Sequence, residues 1–373
     1  MLNTKKIVLV LGNGFDLDLG LKTSYKDFWE SGYCPKDYPS PIIRHLNSPW
    51  YKDLNTVRWY DLENELHSFA IKGDKSDVVS EQELEYIKKN SKYEFYRDYY
   101  YLGVDNCLNS LIEKGFIRIE DDKRGKIFIP YKNDFGYPVE WRTRRSLQLI
   151  KEGLCKYLKS LGPLNASKLS TKVSFNILKS ISRELDADSS VEIFSFNYTH
   201  FPDLGIRLDV PVRYMHGSCE SGKIVVGTRD DLSIEKDYDF LQKAMDPYFR
   251  PPRLVNSLKE ADEVIVFGHS LGENDKQYFT PFFKHASSFD GQKSKYITIF
   301  TYDQTSEDDI KRSLNKMTDG NLSVLFSNND LEFIKIANIA EDQQILLGFL
   351  LRHETDEHHA RNIIGGLINR EKK

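Results

Sequence analysis

Short apolar runs recur along the chain, and each ends in a stretch of glycine or polar residues. The first run, residues 7–11, is β-branched and uninterrupted, as is typical of a strand buried on both faces of a parallel sheet. The same pattern therefore predicts the strands of an α/β fold. The later runs lie at residues 191–196, 211–215, 264–267, 296–300 and 322–326.

The pattern between the first two runs is helical rather than extended. Residues 61–69 and 147–154 carry apolar positions at helical spacing, and residues 115–119 and 125–130 flank a charged loop, which predicts a small hairpin. Residues 308–317 and 341–352 also predict helices. We therefore expect a Rossmann-like, mostly parallel sheet with a large helical insertion. The predicted domains are 1–58 with 184–330 as a nucleotide-binding core, 59–183 as the mainly helical insertion, and 331–373 as a C-terminal helical element.

Composition and charge narrow the class of protein. The chain has 373 residues, of which 40% are hydrophobic and 13% aromatic, and this excludes a disordered chain. A formal net charge of -4 gives no overall attraction to nucleic acid or to an anionic membrane. The four cysteines, Cys34, Cys107, Cys155 and Cys219, are far apart, so we expect no metal site. No secretory signal or membrane-spanning run is visible, and we expect a cytoplasmic protein.

The first apolar run ends in Gly12-Asn13-Gly14-Phe15-Asp16, and Gly20 follows. Glycines at such a turn allow bare backbone N–H groups to approach a ligand, and a helix starting there would direct its positive end at phosphate. This pattern indicates a nucleotide-binding turn. A tight strand-to-loop turn of an ordinary α/β protein is the alternative.

Three later runs also end in small or polar residues. Asn197 follows the second run, His216 and Gly217 follow the third, and Gly268 and Ser270 follow the fourth. In an open α/β sheet the carboxyl ends of the strands form the edge where ligands bind. We therefore expect these residues to form one site.

These residues carry two resemblances. The glycine turn, Asn197, His216-Gly217-Ser218 and Gly268-x-Ser270-Leu271 occur in the order seen in sirtuins and sirtuin-like NAD hydrolases. A resemblance to the AbiH family of bacterial antiphage abortive-infection proteins covers most of the chain. It rests on Gly-Asn-Gly-Phe-Asp with residues 21–25, on Trp59-Tyr60-Asp61-Leu62-Glu63, on Ser195-Phe196-Asn197-Tyr198-Thr199, and on Gly268-His269-Ser270-Leu271-Gly272-x2-Asp275.

The resemblances imply an antiphage protein with a sirtuin-like or DHS-like core that takes NAD as ligand or substrate. His216 and Asn197 would be catalytic in breaking the bond between nicotinamide and ribose. Thr199 stands where sirtuins carry an aspartate that contacts the nicotinamide carboxamide, which weakens the case for cleavage but not for nucleotide binding. The implied cofactor-binding residues are Gly12, Asn13, Gly14, Phe15, Asp16, Gly20, Thr23, Ser24, Gly217, Gly268, Ser270, Asp275 and Asp303.

Alternative functions stay open at this point. Gly268-His269-Ser270-Leu271-Gly272 matches the nucleophile elbow of serine hydrolases, which needs a later acid such as Asp303 and a later histidine. The candidate histidines are His353, His358 and His359. A non-enzymatic sensor of an ADP-ribose-like nucleotide is a second alternative, and a nuclease lacks a metal or basic motif.

The inserted segment raises two further expectations. Glu63 either reaches the site or lies at a solvated helix N-terminus. The many tyrosines of the segment predict a contact with a second copy or with a partner from the defence system or the phage.

Overall fold

The computed structural model describes residues 5–38, 40–47, 62–72, 78–79, 118–119, 127–128, 138–183, 189–288, 293–353 and 356–371. The chain divides into two compact units. The first contains Met1–Thr23, Leu158–Ile224 and Tyr248–Lys373, and the second contains Ser24–Tyr157 and Val225–Pro247. The first unit includes residues 331–373, the predicted C-terminal helical element.

The first unit is built on a six-stranded sheet in which every described pairing is parallel. The strand order is β3-β2-β1-β4-β5-β6, the Rossmann order, so the prediction of an α/β fold with a Rossmann-like parallel sheet is confirmed. The strands are β1 (Lys5–Leu11), β2 (Ser189–Ser195), β3 (Val212–Tyr214), β4 (Glu263–Phe267), β5 (Tyr296–Thr301) and β6 (Asp330–Lys335).

Helices cover both faces of this sheet, which explains why residues 7–11 of β1 and 264–267 of β4 are apolar without alternation. On one face, Ile7, Leu9 and Leu11 of β1 belong to a core with five helices, which lie after β1, before β2 and near the C-terminus. On the other face, Val8 and Val10 belong to a core with four helices from the second half of the chain. In chain order the helices are α1 (Asn13–Asp18), α2 (Tyr25–Glu30), α3 (Pro41–Leu46), α4 (Leu62–Lys72), α5 (Pro138–Ser160), α6 (Ala166–Leu169), α7 (Val173–Arg183), α8 (Leu254–Glu260), α9 (Lys276–Ala286), α10 (Gln304–Met317), α11 (Leu322–Asn328), α12 (Gln343–His353) and α13 (Glu357–Glu371).

The predicted strand at residues 322–326 is wrong. This run forms α11, and the sixth strand is Asp330–Lys335 immediately after it. A short apolar run does not distinguish a strand from a buried helical turn. In α11 only Leu325 is fully buried, whereas β6 is an edge strand whose charged residues interrupt its apolar positions.

The second unit contains the predicted hairpin and several helices. Arg118–Ile119 pairs antiparallel with Ile127–Phe128, and Val78–Val79 extends this small sheet on its other side. Glu63 does not lie at a solvated helix end, because its side chain is buried and lies 3.0 Å from the buried Lys243 ammonium group. Asp61, Trp59 and most of the inserted tyrosines lie outside the described residues, so the predicted partner surface stays a prediction.

Of the helices that the structure describes, none combines the length and apolar character needed to cross a membrane.

Candidate functional site

The predicted site residues lie at the carboxyl edge of the sheet. β1 is central, the chain adds β2 and β3 on one side of it, and then β4, β5 and β6 on the other. Such a reversal leaves a crevice at the ends of the strands that border it, and open α/β sheets bind ligands there. The turn after β1 (residues 12–16, the first turn) and the turn after β4 (residues 268–275, the second turn) both lie at this reversal.

The glycines of the two turns are required by backbone packing. A Cβ atom on Gly12 would lie 2.5 Å from the Cα of His269, and one on Gly14 would lie 2.6 Å from the Cα of Gly268. The N–H of Gly12 donates to the Phe267 carbonyl at 3.0 Å, and the N–H of Gly14 donates to the Gly268 carbonyl at 2.8 Å. The expectation of bare N–H groups at these two glycines is therefore wrong, although nucleotide binding nearby stays a prediction.

Asp16 is a carboxyl group enclosed by neutral hydrogen-bond donors. Its side chain is 1% exposed; its two oxygens accept from Asn197 Nδ2 at 3.0 Å and from Thr199 Oγ1 at 2.8 Å. Burial raises the pKa of Asp16 to about 7, and the two hydrogen bonds lower it only in part. Asn197 Nδ2 also donates to the Gly12 carbonyl at 3.0 Å, which joins the end of β2 to the first turn.

A second cluster joins two histidines through one carboxylate. The Asp275 carboxylate lies 3.1 Å from His216 Nε2 and 3.6 Å from His269 Nε2. His269 Nδ1 accepts the backbone N–H of Leu271 at 3.0 Å, so Nε2 is the ring nitrogen that faces Asp275. Asp275 is the N-cap residue of α9, yet its side chain does not cap that helix. Its carboxylate is directed at the histidines instead.

The backbone around these side chains adopts uncommon conformations. Leu271 has a φ of 49°, in the left-handed region that a leucine rarely adopts, and its side chain is fully buried. Gly217, directly after His216, has a φ of 76°, and a Cβ atom there would lie 2.2 Å from the Lys223 carbonyl oxygen. Glycine adopts a positive φ without strain, whereas the strain at Leu271 persists only where the surrounding structure enforces it, and such strain is concentrated at functional sites.

Aromatic rings pack around the two histidines of the second cluster. The Phe196 ring centroid lies 4.4 Å from that of His269 and 5.6 Å from that of His216. Tyr278, three residues after Asp275 on α9, lies 6.1 Å from His216 between centroids. Burial, and in part the charge of Asp16, raises the pKa of Tyr214 at the end of β3 to about 12. We call Asp16, Asn197, Thr199, His216, His269 and Asp275 the carboxyl-edge site.

The sequence did not single out His269 and Tyr278 as site residues. The signals were present, because His269 follows a strand-end glycine and Tyr278 shares the first turn of the helix that Asp275 begins.

Other predicted site residues have structural partners. Phe15 is buried in the core against Phe201 and Phe267. Gly20, with a φ of 88°, follows the end of α1, and its N–H donates to the Leu17 carbonyl. Asn13 accepts a hydrogen bond from Thr23 at 2.7 Å.

Two further candidates cap helices. Ser24 caps α2 in a reciprocal pair with Asp27, and Asp303 caps α10 by accepting the Ser306 N–H at 2.8 Å. Ser24, in the second unit, is accounted for by its own helix.

The serine-hydrolase alternative loses its histidine partners. Ser270 is exposed after the carboxyl end of β4, but His353 pairs with Glu263, the first residue of the same strand. The length of β4, about 15 Å at 3.3 Å per residue, separates the two ends. His358 and His359 are exposed on α13.

A family model described as bacteriophage abortive infection AbiH matches residues 8–294, well over half of the chain. The chain belongs to the AbiH family. The protein is therefore an antiphage protein that acts in abortive infection. No curated relative and no solved structure matches the chain.

The AbiH match contains every residue of the carboxyl-edge site. The family resemblance predicted from the sequence is confirmed, whereas a sirtuin-like NAD core is not shown. Across the described part of this AbiH chain, no three histidine, cysteine, aspartate or glutamate side chains are grouped so that they could hold a metal ion.

Proposed function

We propose that this AbiH protein binds NAD or a related nucleotide at the carboxyl-edge site and hydrolyses the bond between nicotinamide and ribose. One observation carries the proposal. At the reversal point of a Rossmann-ordered sheet, the segments after β1, β2, β3 and β4 bring together a His216–Asp275 pair and a buried Asp16 whose pKa is about 7. Titratable groups in such surroundings are concentrated at functional sites.

The His216–Asp275 pair has the geometry of an oriented base. The carboxylate fixes the imidazole through Nε2 at 3.1 Å and stabilises the positive charge that the ring acquires when it takes a proton. In the proposed reaction, the C–N bond between ribose and nicotinamide breaks, and nicotinamide leaves with the bonding electrons. A water oxygen forms the new bond to the ribose carbon, and the released proton passes to His216.

Asn197 would hold the water in this reaction through one atom. Its side-chain nitrogen already donates to the Gly12 carbonyl and to Asp16. The amide oxygen is the atom that those two hydrogen bonds do not use, and it can accept a hydrogen bond from the attacking water, whose proton passes to His216. Asn197 therefore supports the reaction as an acceptor.

A non-enzymatic nucleotide sensor is the second candidate. It is favoured by the burial of the two catalytic candidates, since His216 is 4% and Asn197 is 6% exposed. In this function the protein binds an ADP-ribose-like nucleotide and passes the signal to a partner without cleaving the ligand.

The test measures the amounts of NAD and free nicotinamide in two settings. One is cells that express the protein during phage challenge, and the other is the purified protein incubated with NAD. His216→Ala and Asp275→Asn should each lower the rate of NAD loss by about 100-fold or more, as expected for an acid–base group. His358→Ala, an exposed histidine on α13, is the matched control and should leave the rate unchanged. Nucleotide binding with NAD left intact in infected cells would favour the sensor, and absence of both would contradict the proposal.

A further inference from the structure

The first turn is poorly suited to hold phosphate. Three of its backbone N–H groups already donate to protein carbonyls: Gly12 to Phe267 at 3.0 Å, Gly14 to Gly268 at 2.8 Å, and Phe15 to Gly12 at 2.9 Å. A phosphate cradle of the glycine-rich type depends on such N–H groups being directed at the ligand. An anionic group that used these three N–H groups would have to break their hydrogen bonds, which include the one from Gly14 that joins the first turn to the second.

The same turn supplies negative charge. Asp16 is fully buried, and among the described residues its carboxylate accepts hydrogen bonds from the neutral groups of Asn197 and Thr199. Within the residues that the structure describes, no lysine, arginine or histidine forms an ion pair with Asp16 or lowers its pKa. A buried carboxylate without a counter-ion repels an anion and attracts a cation more strongly than it would in water, because low-dielectric surroundings screen it weakly.

Because the Asn197 and Thr199 side chains lie against the carboxylate, the influence of Asp16 on a ligand is electrostatic and does not require direct contact. Asn197 is 6% exposed and Thr199 is 3% exposed, so little water separates Asp16 from a ligand that lies over them. A positive charge on a ligand at this position would provide the compensation that the described residues do not provide.

We propose that the first turn receives the cationic end of a dinucleotide, its pyridinium ring, and that Asp16 selects the oxidised, positively charged ring over the reduced, neutral one. The pyrophosphate then lies away from residues 12–16. This inference rests on the proposed function and adds the orientation of the ligand and its redox state. Asp16 is a specificity-determining residue in this arrangement, acting through the Asn197–Thr199 layer.

The experiment measures the affinities of NAD+, NADH and ADP-ribose by calorimetry at pH 8, where most of Asp16 is ionised. NAD+ and NADH differ in the charge of the nicotinamide ring, which is positive in NAD+ and neutral in NADH. ADP-ribose keeps the pyrophosphate but lacks this ring. The wild-type protein should bind NAD+ about tenfold more tightly than NADH, and Asp16→Asn should reduce this ratio to about twofold or less. Affinity for ADP-ribose should change by less than about twofold in the variant.

Asp18→Asn is the matched control. Asp18 lies two residues further along α1, on a different face of the helix, where its carboxylate accepts from the backbone N–H of Ser174 at 2.8 Å. This variant should keep the wild-type ratio. Asp16→Ala serves as a second neutral variant, and circular dichroism establishes that each variant is folded.

Three results would overturn the inference while leaving nucleotide binding in place. They are equal wild-type affinities for NAD+ and NADH, a preference for NAD+ that survives in both Asp16 variants, and a gain of about tenfold in ADP-ribose affinity when Asp16 is neutralised. The last would place the pyrophosphate beside Asp16. If the wild-type protein binds none of the three ligands, the proposed function and this inference both fail.

Discussion

A carboxyl group is buried at each end of the parallel sheet, and the surroundings shift the pKa values of the two groups in opposite directions. Glu263 begins β4 at the amino edge and is 0% exposed, while Asp16 follows β1 at the carboxyl edge and is 1% exposed. Burial favours the neutral form of both acids. Only Glu263 has cationic groups around it that outweigh this effect.

We call the groups around Glu263 the amino-edge network. The Glu263 carboxylate lies 3.0 Å from Lys5 Nζ, 3.1 Å from His353 Nε2 and 3.6 Å from Arg352 Nε. Burial by itself would raise the pKa of Glu263. The hydrogen bond from His353 and the charges of His353 and Lys5 together outweigh burial, so the pKa lies below its ordinary value. This network joins α12 to β4, so the burial of Glu263 is explained by its structural role.

The comparison separates a carboxyl group that supports the fold from one that the fold tolerates. A buried charge with good partners costs stability when one partner is removed. A buried charge with only neutral donors costs stability while it is ionised, and a protein retains such a group where function requires it. The same residue class at opposite ends of the strands thus indicates structure at one edge and function at the other.

The largest effect is expected at the amino edge. Glu263→Gln should lower the free energy of unfolding by about 3–5 kcal/mol, because it leaves the buried His353 and the partly exposed Arg352 and Lys5 without their carboxylate. Chemical denaturation at pH 7 measures this loss. Glu357→Gln, at an exposed pair with Arg361 on α13, is the control and should cost less than about 0.5 kcal/mol. Similar losses in the two variants would contradict the comparison.

At the carboxyl edge, neutralising the buried carboxyl group should raise the free energy of unfolding rather than lower it. The folded-state pKa of Asp16, about 7, lies above its ordinary value of 3.8, so the stability it contributes is complete below pH 4 and is lost as pH rises to 7. Asp16→Asn removes this loss and should stabilise the protein by up to about 4 kcal/mol at pH 8, with little difference at pH 4. The Thr199 hydroxyl can turn to accept from the new amide.

Unfolding of wild-type protein and Asp16→Asn between pH 4 and pH 8 tests this prediction. Asp18→Asn is the control on the same helix. A difference in stability that does not grow with pH, or an Asp16→Asn variant less stable at pH 8, would show that the described surroundings compensate the charge.

Glycine-to-alanine substitutions should have smaller effects on stability, and these effects should differ between Gly12 and Gly348. Gly12→Ala should cost about 1–3 kcal/mol, because its Cβ would lie 2.5 Å from backbone of the second turn. Gly348→Ala on α12, where no atom lies within 4 Å of the added Cβ, should stabilise the protein by about 0.5–1 kcal/mol. Thermal unfolding compares the two variants, and a neutral Gly12→Ala would show that the two turns can separate cheaply.

Most of the sheet could be predicted from the sequence because its strands are buried on both faces. The apolar runs of β1 and β4 are uninterrupted, and those of β2 and β5 contain few polar residues, as expected of strands in the interior of a parallel sheet. The edge strand β6 was missed because its sequence, Asp-Leu-Glu-Phe-Ile-Lys, is mixed, and the more apolar run before it forms a helix. Edge strands lose the strong signal because only part of their surface is buried.

The location of the site followed from the strand ends, but its contacts did not. Asn197, His216 and Asp275 could be named from residue type and position, since carboxyl ends of parallel strands meet. That Asp16 is buried beneath Asn197 and Thr199, and that His269 shares Asp275 with His216, depends on contacts across many residues of sequence. The glycine spacing was interpreted as a phosphate site, whereas its immediate cause is backbone packing between two turns.

The contact between the two turns also limits which residues can change together with a ligand. Gly12 and Gly14 are hydrogen-bonded to the end of β4 and to Gly268, with backbone against backbone, so a side chain at either glycine would push the two turns apart. The segments after β2 and β3, which carry Asn197 and His216, take no part in this contact between the two turns. Evolution of a new ligand preference should therefore alter residues 197–218 first. A substitution at Gly12 or Gly14 would need a compensating change in the second turn, which contacts both glycines.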